Sequence, residues 1–182
     1  MIYFETERLI FRSWKNEDLE FFKEMNKDHR VMKYFPKVLS NEETETFYNK
    51  IQDEFKEEGY GLYAVETKEK GEFIGLIGFH KATFKAEFTP CVEIGWRLKK
   101  DAHGSGYATE GARACIEYGF RELKFEKIYS FTAKINLPSQ NVMKKIGMKK
   151  VMEFNHPNVG KESELYGHVL YAIELKDWNI SE

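Results

Sequence analysis

The chain has 182 residues, 42% hydrophobic, 32% charged and 15% aromatic, a balance that supports one buried core and excludes a disordered chain. With 28 basic against 30 acidic residues and a formal net charge of -2, no global field draws it to nucleic acid or to an anionic membrane. Two cysteines without CxxC spacing, no signal-peptide pattern and no apolar run of membrane length point to a reducing cytoplasm.

Residues 7–13 alternate as a strand, with Leu9, Phe11 and Ser13 on one face and Arg8, Ile10 and Arg12 on the other. Asn16 then reads as a helix N-cap. Glu17 and Asp18 follow where a helix dipole favours carboxylates, and Leu19, Phe22 and Met25 recur at helical spacing until about Asp28. Ser40 to Glu43 is a capping box opening a second helix, with Phe47, Ile51 and Phe55 as its buried stripe and Gly59 as its end. Its mixed-sign stretch 53–58 reads as a solvated face without functional weight.

Leu62 to Thr67 and Glu72 to Ala82 form a hairpin around the polar turn 68–71, and Cys91 to Leu98 is a further strand after Pro90. A helix over 106–123 carries Ala108, Ala112, Cys115 and Gly119 on one face, so its backbone can lie close to a sheet. Cys115 is a small core residue on that reading. A strand over 127–135, a short helix over 139–146 closed by Gly147, and strands over 149–154 and 165–175 complete the chain. The order predicts a single α/β (α+β) domain over 1–182, a mixed sheet of about seven strands with helices on both faces.

Chemistry concentrates first at His103, Gly104, Ser105, Gly106, Tyr107 and Ala108, between a strand and a helix. Glycines there let main-chain amides approach an anion, and the helix start favours phosphate without any excess of Lys or Arg. A plain structural turn would also use them. Thr109 stands where a dinucleotide fingerprint wants glycine or alanine, and no Gly-Lys followed by Ser or Thr is present, so a Rossmann and a P-loop reading both fail. The histidines at 29, 80, 103, 156 and 168 show no HExxH or paired Cys/His pattern, so no metal is expected.

Nearly the whole chain resembles the GNAT N-acetyltransferases, in particular the branch of the ribosomal-protein N-terminal (alanine/serine) acetyltransferases. The motifs are Thr6-Glu7-Arg8-Leu9-Ile10-Phe11-Arg12, Gly75-Leu76-Ile77-Gly78-Phe79, Glu93-Ile94-Gly95-Trp96-Arg97-Leu98, the run Gly104 to Gly111, and the run Asn136 to Met148. His103 departs from the Arg or Gln with which the family's phosphate turn begins. The resemblance implies the acyl-CoA N-acyltransferase fold, acetyl-CoA as donor, and an amine acceptor, either a protein N-terminus or a small molecule. It implies a splay between the strands of Glu93 and Lys127, with Trp96 and Leu98 pairing their backbone with the pantetheine arm. A strand amide would face the thioester oxygen.

By the same resemblance Asn136 contacts the cofactor arm and Ser139 sits beside the acetyl sulfur. Read locally, they are a loop asparagine and an N-cap serine. No tyrosine lies between Asn136 and Met148 to protonate the departing thiolate, which leaves Ser139 as the candidate acid. Glu93 is the candidate base, with His80 and a water chain behind it, and an ordinary ion pair explains Glu93 equally well. Neither cysteine sits in a nucleophile motif, so the expected reaction is direct attack in a ternary complex. A noncatalytic CoA-binding or ribosome-associated module of the same fold is the alternative. Tyr34, Phe35 and Pro36 read as an acceptor entrance or a core-packing loop, and the chain is expected as a monomer or homodimer.

Overall fold

The computed structural model describes residues 1–178. Eight strands form one sheet in the order β1-β2-β3-β4-β5-β6-β8-β7, antiparallel throughout except where β5 meets β6. The strands are β1 (Ile2–Glu5), β2 (Leu9–Arg12), β3 (Leu62–Thr67), β4 (Glu72–Ala82), β5 (Cys91–Leu98), β6 (Lys127–Ala133), β7 (Lys149–Asn155) and β8 (Gly167–Glu174). The helices are α1 (Asp18–Lys27), α2 (Asn41–Glu58), α3 (Tyr107–Arg121), α4 (Leu137–Lys145) and the short α5 (Leu175–Trp178). The sheet has one strand more than expected, because β1 lacks a turn signal of its own and is held by its register with β2.

Two apolar clusters lie on the two faces. On one, Leu9, Phe11, Tyr63, Ile77, Phe79 and Ile94 meet Ala112, Cys115 and Ile116 of α3. The small-residue face of α3 does what its spacing predicts: a Cβ on Gly119 would come within 2.7 Å of the Phe79 ring. On the other face, Leu62, Ala64, Phe73 and Leu76 pack with Trp14, Phe22, Met25 and Ile51, the last three from α1 and α2.

α2 opens on the expected capping box, Ser40 and Glu43 satisfying each other, and closes on Gly59 at φ 75°. α1 departs from expectation. Asn16 does not cap it, and Glu17 at the N-cap position makes no side-chain cap bond. Asp18 is instead buried, accepting from the Lys15 amide at 2.7 Å and from both terminal nitrogens of Arg12. Arg12, on the strand face opposite Leu9 and Phe11, is buried too, and its Nε donates to Glu66 at 2.7 Å. A guanidinium between two carboxylates is a tolerable buried charge, and removing either acid would leave it uncompensated.

Candidate active site

The turn before α3 is built as its glycines require. Gly104 has φ 79° and Gly106, the N-cap of α3, has φ 81°, a region that costs an L side chain roughly 1–2 kcal/mol. The first amides of α3 have no partner within the helix and present their hydrogens at its N-terminus, where the dipole favours an anion. Ser105 is exposed, and Tyr107 and Ala108 are half-buried at the first turn.

Arg8 braces this turn from across the sheet. Its Nη1 donates to the Ser105 carbonyl at 2.9 Å, its Nε donates to Glu110 at 2.6 Å, and its guanidinium lies over the Tyr107 ring, 4.6 Å from the centroid. Thr6 completes the brace by donating to Glu110 at 2.6 Å. Pulling the Ser105 carbonyl towards Arg8 orients the peptide units of the turn. The His103 ring turns away and donates through Nε2 to the Leu98 carbonyl at 2.9 Å.

β5 and β6 pair at a single register point, Glu93 with Tyr129. The Ser130 hydroxyl donates to the Ile94 carbonyl at 2.9 Å, so the backbone groups of Ile94 face β6, and by strand alternation those of Trp96 and Leu98 do too. Past that point the strands diverge, which is the expected splay, and the backbone of Trp96 and Leu98 borders the gap.

α4 begins at the far side of the gap. Asn136, not Ser139, is its N-cap: the Asn136 Oδ1 accepts from the Ser139 amide at 3.3 Å, and Pro138 follows in the first turn. The Asn136 Nδ2 donates to Thr132 Oγ1 at 2.9 Å and to Ser139 Oγ at 3.1 Å. The asparagine is therefore buried and occupied on both ends. Ser139 Oγ is left holding an accepted bond and a free hydroxyl hydrogen.

The other face of β5 carries side-chain chemistry. Glu93 is partly buried, and burial pushes its carboxyl up to about 8; His80 works against that rise and Glu54 adds to it. His80, opposite Glu93 in the register, lies 2.9 Å from Glu54, whose carboxylate raises the imidazole above its ordinary value. Glu54 corrects the sequence reading of 53–58 as wholly solvated. Its side chain is 13% exposed and also accepts from the Lys81 amide at 2.7 Å. Periodicity within α2 gave no hint of this, because the contact depends on how α2 crosses β4.

Burial raises Cys91 to about 11 and holds Cys115 well above its ordinary value, so neither is a thiolate near neutrality. Among the described residues no group of three His, Cys, Asp or Glu could hold a metal ion, and no helix is long and apolar enough to cross a membrane. A cleft of about 360 Å³ opens elsewhere, between α1 and Lys99 to Asp101, and touches neither Glu93 nor Ser139.

Residues 8–149 match the acetyltransferase (GNAT) domain family. The chain belongs to the GNAT acetyltransferases. It is 34% identical over 179 residues to an uncharacterized N-acetyltransferase of Bacillus subtilis named YnaD, covering 98% of this chain and 100% of the relative. A GNAT-family acetyltransferase from Bacillus anthracis, solved by crystallography, is 32% identical with a TM-score of 0.78 over 96% of this chain and 98% of that one. The ribosomal-protein-S5-alanine acetyltransferase of Vibrio fischeri shares the fold, with TM-score 0.76 over 98% of both chains at 18% identity. An acetyl-CoA-dependent N-acetyltransferase is thus the class of this enzyme.

Proposed function

We propose that this chain transfers an acetyl group from acetyl-CoA directly to a primary amine in a ternary complex, working in the cytoplasm as one GNAT unit. The single observation that carries the reading is the divergence of β5 from β6 beside a glycine turn at a helix start. Together they offer unpaired strand backbone for an amide-bearing arm and helix amides for a pyrophosphate. When bound, acetyl-CoA supplies an activated thioester.

The residues of the chain do the rest. The helix-start amides of Tyr107 and Ala108, with the Gly104 to Gly106 turn, hold the pyrophosphate, while Arg8 keeps that turn in place and His103 fixes the end of β5. Trp96 offers its backbone groups and Leu98 its amide to the pantetheine arm, the Leu98 carbonyl already accepting from His103, and a β5 amide stabilises charge on the carbonyl oxygen. Glu93 takes the proton that the attacking ammonium must lose, and its raised carboxyl holds that proton near neutral pH. Ser139, aimed by Asn136, gives its hydroxyl proton to the departing sulfur and takes in exchange the second proton that the nitrogen sheds as the amide forms. The high thiol values of both cysteines support transfer without an acyl-enzyme.

The test is release of free CoA thiol from acetyl-CoA on addition of amines of several classes. Amine-dependent release is the expected result. A chain that binds CoA and releases none with any amine is a binding module.

A further inference from the structure

The chain holds two arginines in apolar surroundings, and they are treated differently. Arg12 lies between two carboxylates, Asp18 and Glu66. Arg97 on β5 has none: among the described residues no carboxylate comes within ion-pairing distance of it. Its Nη1 donates to Asn26 Oδ1 at 2.7 Å, and its guanidinium lies 4.2 Å from the Phe35 ring centroid and 5.4 Å from that of Phe47. Its Nε is enclosed without any hydrogen-bond partner.

Desolvation pulls this guanidinium down to about 10, so it remains charged at neutral pH. A charge set against two phenyl rings without a counter-ion is a costly arrangement that an anion would relieve. The fork is also aimed. Asn26 is fully buried and tied to Thr44 Oγ1 at 3.3 Å, so it fixes Nη1 and leaves Nη2, which unlike Nε is not enclosed, for an oxyanion. Phe35, whose ring covers the guanidinium, is itself exposed on the connection between α1 and α2.

The position of Arg97 says whose anion it is. β5 runs without a bulge from Cys91 to Leu98 against β4, so Glu93, Gly95 and Arg97 share one face while Ile94 and Leu98 point into the core under α3. A Cβ on Gly95 would meet nothing within 4 Å, so the floor between the two charged residues is open. Glu93 and Arg97 are four residues apart, about 13 Å between Cα atoms at roughly 3.3 Å per residue. Both long side chains shorten that span.

We propose that Arg97 binds a carboxylate or similar oxyanion on the amine acceptor itself, which lies over Gly95 with its amine at Glu93 and its anion at Arg97. This rests on the acetyl-transfer reading and narrows it to amino-acid-like or short peptide acceptors. A polyamine would bring cationic charge against an uncompensated guanidinium.

The experiment pairs amino acids, ω-amino acids and dipeptides with their carboxamides, adds a polyamine, and reads CoA thiol release. The wild type is expected to use the free acids at least tenfold better in kcat/KM than the amides. Arg97→Gln raises KM for the acids and erases that preference, with CoA affinity unchanged. Asn26→Asp, which offers Arg97 an internal counter-ion, erases it as well and decides the matter should Arg97→Gln not fold. Equal use of acids and amides by the wild type, preference for the polyamine, equal losses on acids and amides in the variants, or weakened CoA binding would each overturn the assignment.

A second arm is independent of turnover: N-acetylated acids should raise the melting temperature of the wild-type CoA complex more than N-acetylated amides, and lose that advantage in Arg97→Gln. If CoA binds and no amine releases thiol, acetyl transfer fails while this arm still judges Arg97. No difference between the two product sets would overturn the Arg97 assignment.

Discussion

The two sides of β5 are built from different materials. Towards β6 and α3 the chain offers main-chain groups: the helix-start amides, the Gly104 to Gly106 turn and the strand backbone at Trp96 and Leu98. Towards α1 and α2 it offers side chains: Glu93, His80, Glu54 and Arg97. The donor side would recognise a molecule that never changes, and backbone geometry suffices for it. The proposed acceptor side would have to choose among amines, and choice requires side chains whose charge and shape differ from one enzyme to the next.

That contrast can be broken by mutation. Glu93→Gln should give the largest effect, lowering kcat by about 100-fold or more, within the usual range for a general base, with CoA affinity unchanged by calorimetry. The wild-type kcat/KM should rise with pH through about 8, where the carboxyl is half ionised, and level off above it, because the base form is the one present above its pKa. Glu93→Gln should lack that rise. A variant with wild-type rates would leave the proton to His80 or to water.

Gly106→Val acts on the other side. At φ 81° a β-branched residue stores strain of about 1–3 kcal/mol, which is up to roughly 100-fold in CoA affinity if the turn shifts to relieve it. An unchanged affinity in a folded variant would remove the turn from the donor site. Ser139→Ala should lower kcat about tenfold and leave CoA binding alone, less than the roughly 100-fold at which proton transfer by a positioned group usually begins, because water can take the place of the hydroxyl. Arg8→Ala should be the mildest, weakening CoA a few-fold, since the side chain of Arg8 is 45% exposed and such pairs contribute about 1 kcal/mol or less.

The same contrast explains how much was legible beforehand. Glycines at 104 and 106 are demanded by a backbone conformation, so they mark in the sequence itself the turn proposed for the donor, and the capping box at Ser40 and Glu43 marks α2 for the same local reason. Neighbouring residues of one chemical type are harder. Asn136 and Ser139 are both capping residues three apart, and only the hydrogen bonds assign the cap to the asparagine. Asn16 lost its expected cap because a buried Arg12 claims Asp18, a contact six residues long that depends on tertiary packing. Glu54 and Arg97 gain their meaning only when α2 lies across the sheet, and no periodicity within either element could announce that.

The central claim is most directly tested by measuring two quantities on the same preparations of wild type, Gly106→Val and Glu93→Gln: CoA affinity by calorimetry, and amine-dependent release of CoA thiol at saturating acetyl-CoA. The account predicts a crossed result, with Gly106→Val losing affinity and Glu93→Gln losing turnover while binding CoA as the wild type does. If both variants lose both quantities together, or if the wild type binds CoA and releases no thiol with any amine, the division of β5 into a donor side and an acceptor side is wrong.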